Sequence, residues 1–324
     1  MLVGTEYRSR AYAGDSDLQS IFELLDRCNI HDNLDESPSL AGLRLAIDYP
    51  QRDKANDLRL WEDAEGMLVA YGQVDLLNEG ADTEGRFFFR VHPDARTGGL
   101  LAKSVISWAG ERVGTVARER DQAGHLYSGI RDFNLEGIAV LEANGFAPDR
   151  YFFRMARDLS DPVPDPELPQ GYALNHLQSK NELPERVACF NESFVDTWKF
   201  QPLTLAKAEH YRANNPAYKP EHDLVIVAPD STFAAFCFCE IDPEDNARHG
   251  RKVGWIHLLG TRRGHRKIGL GRAMLLAGLQ RMKLDGMEVT NLDVDADSPT
   301  GALKLYESAG FKKEMTTVVM RKDL

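Results

Sequence analysis

The sequence predicts an α/β (α+β) protein made of two tandem copies of one domain, each a mixed, largely antiparallel sheet flanked by helices. Three observations carry this. First, the halves repeat: Val91-His-Pro-Asp-Ala-Arg-Thr-Gly-Gly99 answers Thr261-Arg-Arg-Gly-His-Arg-Lys-Ile-Gly269, and both the arginines (96, 266) and the glycines (99, 269) stand 170 positions apart. Glu142-Ala-Asn-Gly-Phe146 answers Glu307-Ser-Ala-Gly-Phe311, and Met155-Ala-Arg-Asp-Leu159 answers Met320-Arg-Lys-Asp-Leu324, both at 165. Two copies make a tandem protein, not a solenoid. Second, each half places helical material before short β-rich runs. Third, in each half the last of those runs enters a glycine turn and then a long helix, so strands paired by hairpins are followed by helical crossovers.

The elements follow in order. A helix is predicted over 17–28, then strands over 58–61, 67–74 and 86–91. Residues 158–171 carry four prolines among acidic residues, the composition of a stiff, extended linker. The expected domains are therefore 1–157 and 172–324, joined by 158–171. The second opens with a helix over 183–194, strands over 224–228, 232–241 and 254–259, and, after the glycine turn, a helix reaching about residue 284. A strand over 291–295 and a short helix complete it. For that short helix, Asp297 or Ser298 is the expected cap and Pro299 the first residue, where a missing N–H costs nothing. Gly310 stands where a left-handed C-cap belongs.

Composition narrows the function. The 324 residues carry a net charge of −11, with 43% hydrophobic and 27% charged residues, as in ordinary globular proteins. An acidic balance argues against a nucleic-acid partner, which wants a broad basic face. No apolar run approaches a membrane helix, and the N-terminal residues lack the apolar core of a secretory signal, so a cytoplasmic location is expected. Cys28, Cys189, Cys237 and Cys239 form no metal-ligand spacing, and no metal is expected. Cys237 and Cys239 alternate on one strand and share a face.

Against this acidic background, residues 247–284 contain no Asp or Glu but ten Lys or Arg. The island centres on Arg262-Arg-Gly-His-Arg-Lys-Ile-Gly-Leu-Gly-Arg272. Glycines there let backbone N–H groups crowd a ligand, and the helix start adds partial positive charge, so the segment reads as an anion cradle. A nucleoside-triphosphate loop would need Lys-Ser/Thr after its last glycine, where Arg272 and Ala273 stand. A dinucleotide fold needs a different glycine order. Arg266-Lys-Ile-Gly269-Leu-Gly271 instead resembles the Arg/Gln-x-x-Gly-x-Gly/Ala motif of the GNAT superfamily of N-acetyltransferases. The segment Asp297-Ser-Pro-Thr-Gly-Ala-Leu-Lys-Leu-Tyr-Glu-Ser-Ala-Gly-Phe311 resembles its second landmark.

The resemblance implies a splayed central strand pair in each domain and acetyl-CoA as cosubstrate. Its site would comprise Leu259, Thr261, Arg266, Lys267, Ile268, Gly269, Leu270, Gly271, Arg272 and Ser298, with Arg262, Arg263 and Lys267 reaching the second phosphate. It implies Tyr306 as general acid, although spacing alone reads Tyr306 as a half-buried aromatic. The base is open. Trp255 occupies the strand position where many members carry Glu; His257, on the same strand face and with a reference pKa near 6.5, is the candidate, with Asp293 and Asp295 behind it. In the first half Leu101 replaces the last small residue of the motif, where it would press on the pyrophosphate, and Leu141 replaces the tyrosine. That half is expected to be catalytically silent, the competing expectation being that it still holds coenzyme A unproductively through the retained Arg96, Gly98 and Gly99. The expected activity is acetylation of a primary amine, in a small molecule, by direct attack. Phe194, Trp198, Phe200, Tyr211 and Tyr218 are pocket candidates, and core packing explains them equally. The tandem layout is similar to family members that acetylate a cysteinyl amino-sugar conjugate; a non-catalytic acyl-CoA-binding regulator is the alternative of another class.

Overall fold

The computed structural model describes residues 7–34, 39–77 and 80–324. The chain divides into two compact units: one runs to Arg150 and takes back Thr317–Leu324, the other spans Tyr151–Thr316. In the first, β1 (Arg8–Ala11) leads into α1 (Asp15–His31), α2 (Leu40–Ile47) and α3 (Lys54–Asp57). Antiparallel β2 (Leu58–Glu62), β3 (Leu68–Leu77) and β4 (Thr83–Val91) follow. Helix α4 (Leu100–Arg120) then carries the chain to β5 (Gly124–Arg131), which pairs parallel to β4. A parallel return needs such a crossover. Next come α5 (Leu135–Ala143) and β6 (Ala147–Asp158).

The second half of the sequence repeats the order. It runs β7 (Ala173–His176), α6 (Leu183–Phe194), α7 (Leu205–Asn214), β8 (Asp223–Val227), β9 (Phe233–Glu240), α8 (Pro243–His249) and β10 (Val253–Thr261). It ends with α9 (Leu270–Leu284), β11 (Val289–Asp295), α10 (Ala302–Ser308) and β12 (Lys312–Asp323). The strand orders are β1-β2-β3-β4-β5-β12 in the first unit and β7-β8-β9-β10-β11-β6 in the second. The mixed, mostly antiparallel sheet flanked by helices is the predicted class.

Each unit takes its last strand from the other half of the sequence. Residues 152–158 pair with β11, and Thr317–Asp323 pair with β5. The repeated Met-x-x-Asp-Leu segments are these two strands; Met155 is 1% and Met320 0% exposed. The division therefore differs from the expected 1–157, because residues 151–157 belong to the second unit. Residues 158–171 belong there too. Val163, Leu168 and Tyr172 pack on the core around α9, and Lys283 and Gln280 donate to the carbonyls of Asp161 and Pro164. This explains why the apolar face of α9 is broad: Leu270, Ala273–Leu279 and Met282 are buried, and Arg272 and Lys283 are left to water.

In the second unit the sheet separates two apolar clusters. Cys237, Cys239, Ile256, Leu292 and Val294 join α9 on one face. Phe236 and the partly buried Leu258 join α6 and Ala208 of α7 on the other. All four cysteines are free and buried, and the Sγ atoms of Cys237 and Cys239 lie 3.6 Å apart. Gly278 lets α9 come this close, since a Cβ there would sit 2.8 Å from Cys237 Sγ. Gly278→Val should therefore cost about 1–3 kcal/mol of stability through overpacking, read as a lowered melting temperature; an unchanged melt would show that the contact relaxes freely.

Candidate functional site

Strands β10 and β11 pair only over Val253–Trp255 and Val289–Asn291. Beyond that point β10 remains bonded to β9 as far as Thr261, and β11 to β6 as far as Asp295. The two therefore diverge while each keeps one outer partner. In a strand, N–H and C=O point to alternating sides from one residue to the next. Arg262 N–H donates to Ala234 O on the β9 side, so Gly260 faces β9, and the backbone groups of Leu259 and Thr261 face the cleft. This is the splayed pair the resemblance implied.

The cleft ends at the glycine turn. Lys267 (φ 66°) and Gly269 (φ 93°) both adopt left-handed backbone there. Gly269 is the N-cap of α9, and no side chain caps the helix. The first N–H groups of α9 thus have no side-chain acceptor, a geometry suited to an anion. Lys267 and Ile268 are exposed beside them. A cavity of about 470 Å³, lined by Ile268, Gly269, Arg272, Leu276, Pro164, Asp165 and residues 167–169, adjoins the turn.

Arg266 is a brace for this turn. Its guanidinium donates to Thr261 O (3.1 Å) and Ser193 O (2.9 Å) and pairs with Asp196 (3.0 Å). Arg263 and Arg266 together hold the Asp196 carboxyl down at about 2. The first unit repeats the device: Arg96 donates to Val91 O (3.1 Å) and binds Asp32 through two bonds of 2.6 and 2.9 Å.

Three expectations need correction. Arg262 is buried and ion-paired with Glu185 (3.0 Å) and Glu192 (3.3 Å), so it does not face a second phosphate; a cation taken from water needs such partners. Helix α10 starts at Ala302 behind a left-handed Gly301 (φ 74°), not at Pro299. Ser298 is instead part of a turn, its hydroxyl 2.9 Å from that of Thr300. Leu101 is 1% exposed and packs into the first unit's core, so its side chain does not press on the turn. Leu141 is likewise a core residue. Gly310 does adopt the left-handed backbone expected after the last helix (φ 89°).

His257 is the extra residue of a β-bulge. Ile256 pairs with Cys239 and Leu258 with Phe238, leaving His257 without a counterpart. Bulges bend a strand and re-aim a side chain. The corresponding pair in the first unit, β3–β4, runs without a register shift. The imidazole stacks on Trp255 (5.7 Å, 7°) and Phe238 (6.1 Å, 26°), and its Nε2 lies 3.6 Å from Glu240 Oε1. Glu240 accepts from Tyr211 (2.5 Å) and Asn215 (2.6 Å). Burial works to raise its carboxyl, but His257, Tyr211 and Asn215 outweigh that and leave it below the usual range. Glu240 escaped the sequence reading; its signal was a lone carboxylate closing the apolar run 233–239. Asp293, by contrast, is paired with Arg154 at 3.2 Å, and Arg154 stacks on Trp255 at 4.5 Å. The expected aromatics divide. Phe194 and Phe200 pack with Phe190, while Tyr211 and Tyr218 pack on Phe238 and Trp198 on Phe152.

Tyr306 lies in the cluster on the α9 face, 8% exposed, with its ring edge-on to Phe311 at 6.0 Å. Burial pushes its phenol up. His257 and Tyr306 thus belong to opposite faces of the sheet, which the splay alone leaves open between β10 and β11. Among the described residues no group of His, Cys, Asp and Glu is placed to hold a metal ion, and no helix is long and apolar enough to cross a membrane.

The profile of the acetyltransferase (GNAT) family matches residues 187–311. A mycothiol acetyltransferase of Thermobispora bispora is 28% identical over 236 residues, covering 72% of this chain and 74% of its own. One from Thermomonospora curvata is 24% identical over 311 residues, covering 94% and 93%. Among solved structures, a tandem GNAT protein from the clavulanic acid biosynthesis pathway superposes with a TM-score of 0.73 at 16% identity, covering 98% of both chains; at that identity the likeness speaks to the fold.

Proposed function

We propose, from the premise that residues 187–311 are an acetyltransferase domain of the GNAT family, that the chain transfers an acetyl group from acetyl-CoA to a primary amine of a small molecule. The observation that carries this reading is the track from the splay, past the inward-facing backbone of Leu259 and the N–H of Thr261, to the uncapped start of α9. A pantetheine arm needs unpaired strand groups, and a pyrophosphate needs N–H donors. Gly269, Leu270, Gly271 and Arg272 would supply those donors through their backbone, with Lys267 as a free charge and Arg266 holding the turn in shape. The cavity beside residues 164–169 suits the adenosine end.

In the proposed reaction the neutral amine nitrogen attacks the thioester carbonyl carbon. The C–S bond breaks and the sulfur leaves with the electron pair. His257, oriented by Glu240 and stacked on Trp255, takes the proton that the amine sheds. Tyr306 donates to the departing sulfur from the other side of the sheet. A phenol kept protonated by burial holds that hydrogen bond at any working pH. Asn291 lies at the apex of the splay, and its side-chain oxygen is buried without a hydrogen-bond partner. It would accept from the incoming amine. The first unit, with Leu141 in place of the tyrosine and no bulge between β3 and β4, is read as a non-catalytic scaffold.

A second reading is an amino-sugar conjugate as acceptor, favoured by the name that the relatives carry and by the near full-length match to one of them. Thiol release from acetyl-CoA across a panel of amines that includes such a conjugate tests both; no release with any amine would remove the enzyme reading and leave an acyl-CoA-binding regulator. For the base, His257→Gln should erase the ascending limb of the pH–rate profile and Glu240→Gln should shift it. An unchanged profile in His257→Gln would dismiss it.

A further inference from the structure

The first unit has a splay of its own. Strands β4 and β5 pair only over Thr83–Arg86 and Gly124–Tyr127. The gap beyond holds a cavity of about 270 Å³, flanked by Phe88–Val91 on one strand and Ser128–Arg131 on the other, with Val140 and Leu141 of α5. Its chemistry differs from that of the second unit at one informative position. Arg90 stands 170 residues before Gly260. Gly260 has no room for a side chain: a Cβ there would meet Phe236 at 2.5 Å and Ser193 at 2.9 Å. In the first unit that position carries a guanidinium lining the cavity.

Arg90 is incompletely satisfied. It donates to Phe89 O (3.0 Å) and lies over the Phe88 ring at 4.6 Å, while its Nε is buried without a partner. The neighbouring carboxylate, Asp32, is committed to Arg96 through two bonds. Among the described residues no carboxylate pairs with Arg90. A half-buried cation whose Nε is shut off from water is costly unless something anionic completes it. Burial accordingly works to lower its pKa.

We propose that this cleft binds a small monocarboxylate with an apolar body, its carboxylate on Arg90 and its body against Phe88, Val140 and Leu141. An arginine fork matches a carboxylate. The volume lies just under the usual range for ligand pockets, and the lining mixes apolar Phe88, Ile130, Val140 and Leu141 with polar Ser128, Arg131, Asn134 and Glu136, so an apolar body and a charged head can both be received. The site is independent of the chemistry assigned to the second unit.

The test is calorimetric titration of the full chain with phenylacetate and hexanoate. The expected dissociation constants are on the order of 0.1–1 mM, weakened about tenfold or more in Arg90→Met. Phenylacetamide, the uncharged isostere, should not bind. Val140→Phe should also abolish binding by filling the cleft while keeping Arg90, which keeps the test informative if Arg90→Met folds poorly. Absence of binding at about 10 mM, equal affinity in Arg90→Met, or equal binding of phenylacetamide would overturn the assignment. So would displacement of phenylacetate by coenzyme A in the parent, because the cleft would then be a second coenzyme site.

Discussion

Tyr306→Phe should lower kcat by a factor on the order of 10²–10⁴ and leave the acetyl-CoA dissociation constant close to that of the parent. The phenol acts on charge that appears on sulfur only as the C–S bond breaks, so its loss falls on the transition state and not on ground-state binding. The substitution is also gentle to the fold. The ring lies edge-on to Phe311 inside the α9-side core, and phenylalanine retains that contact. Steady-state kinetics with equilibrium titration of acetyl-CoA separates the two quantities. Equal turnover by variant and parent would remove Tyr306 from the chemistry. A joint loss of turnover and affinity would make it a packing residue.

Removing residues 317–324 should unfold the first unit, although these residues lie at the opposite end of the chain from most of it. The segment pairs with β5 over seven residues, Thr317–Asp323, and buries Val318 and Met320 in the first unit's core. Burial of two such side chains contributes roughly 3–6 kcal/mol, against a whole-domain stability of about 5–15 kcal/mol. The lost ladder would also leave β5 with an unpaired edge, a template for association. A circular dichroism melt of residues 1–316 should show a low-temperature transition or loss of cooperativity. A melt identical to that of the full chain would mean that the strand exchange carries little stability. By the same reasoning, residues 1–157 expressed alone should aggregate.

The sequence made legible those features that depend on local pattern. Helix α6 falls on the predicted 183–194, and β8, β9 and β10 lie within a residue or two of their expected bounds. Gly269 and Gly310 were readable because glycine marks a left-handed backbone that few other residues adopt. What stayed hidden depends on partners distant in the chain. The repeated Met-x-x-Asp-Leu segments were visible as repeats, but nothing local says which sheet a strand joins, so the exchange was missed. Arg262 and Arg266 looked like phosphate ligands because the turn is basic. Only the fold brings Glu185, Glu192 and Asp196 to meet them. Glu240 was hidden for the same reason: its value comes from His257 on the next strand and Tyr211 on a helix. Ser298 misled because Ser-Pro is a frequent helix start, and Gly301 moved the start three residues on.

The most direct test of the account is a crystal structure of the full chain with coenzyme A. The prediction is a diphosphate seated on the backbone N–H groups of residues 269–272, with the pantetheine arm between 256–261 and 292–295 and its sulfur beside Tyr306. Coenzyme A bound elsewhere, with that turn vacant, would contradict it.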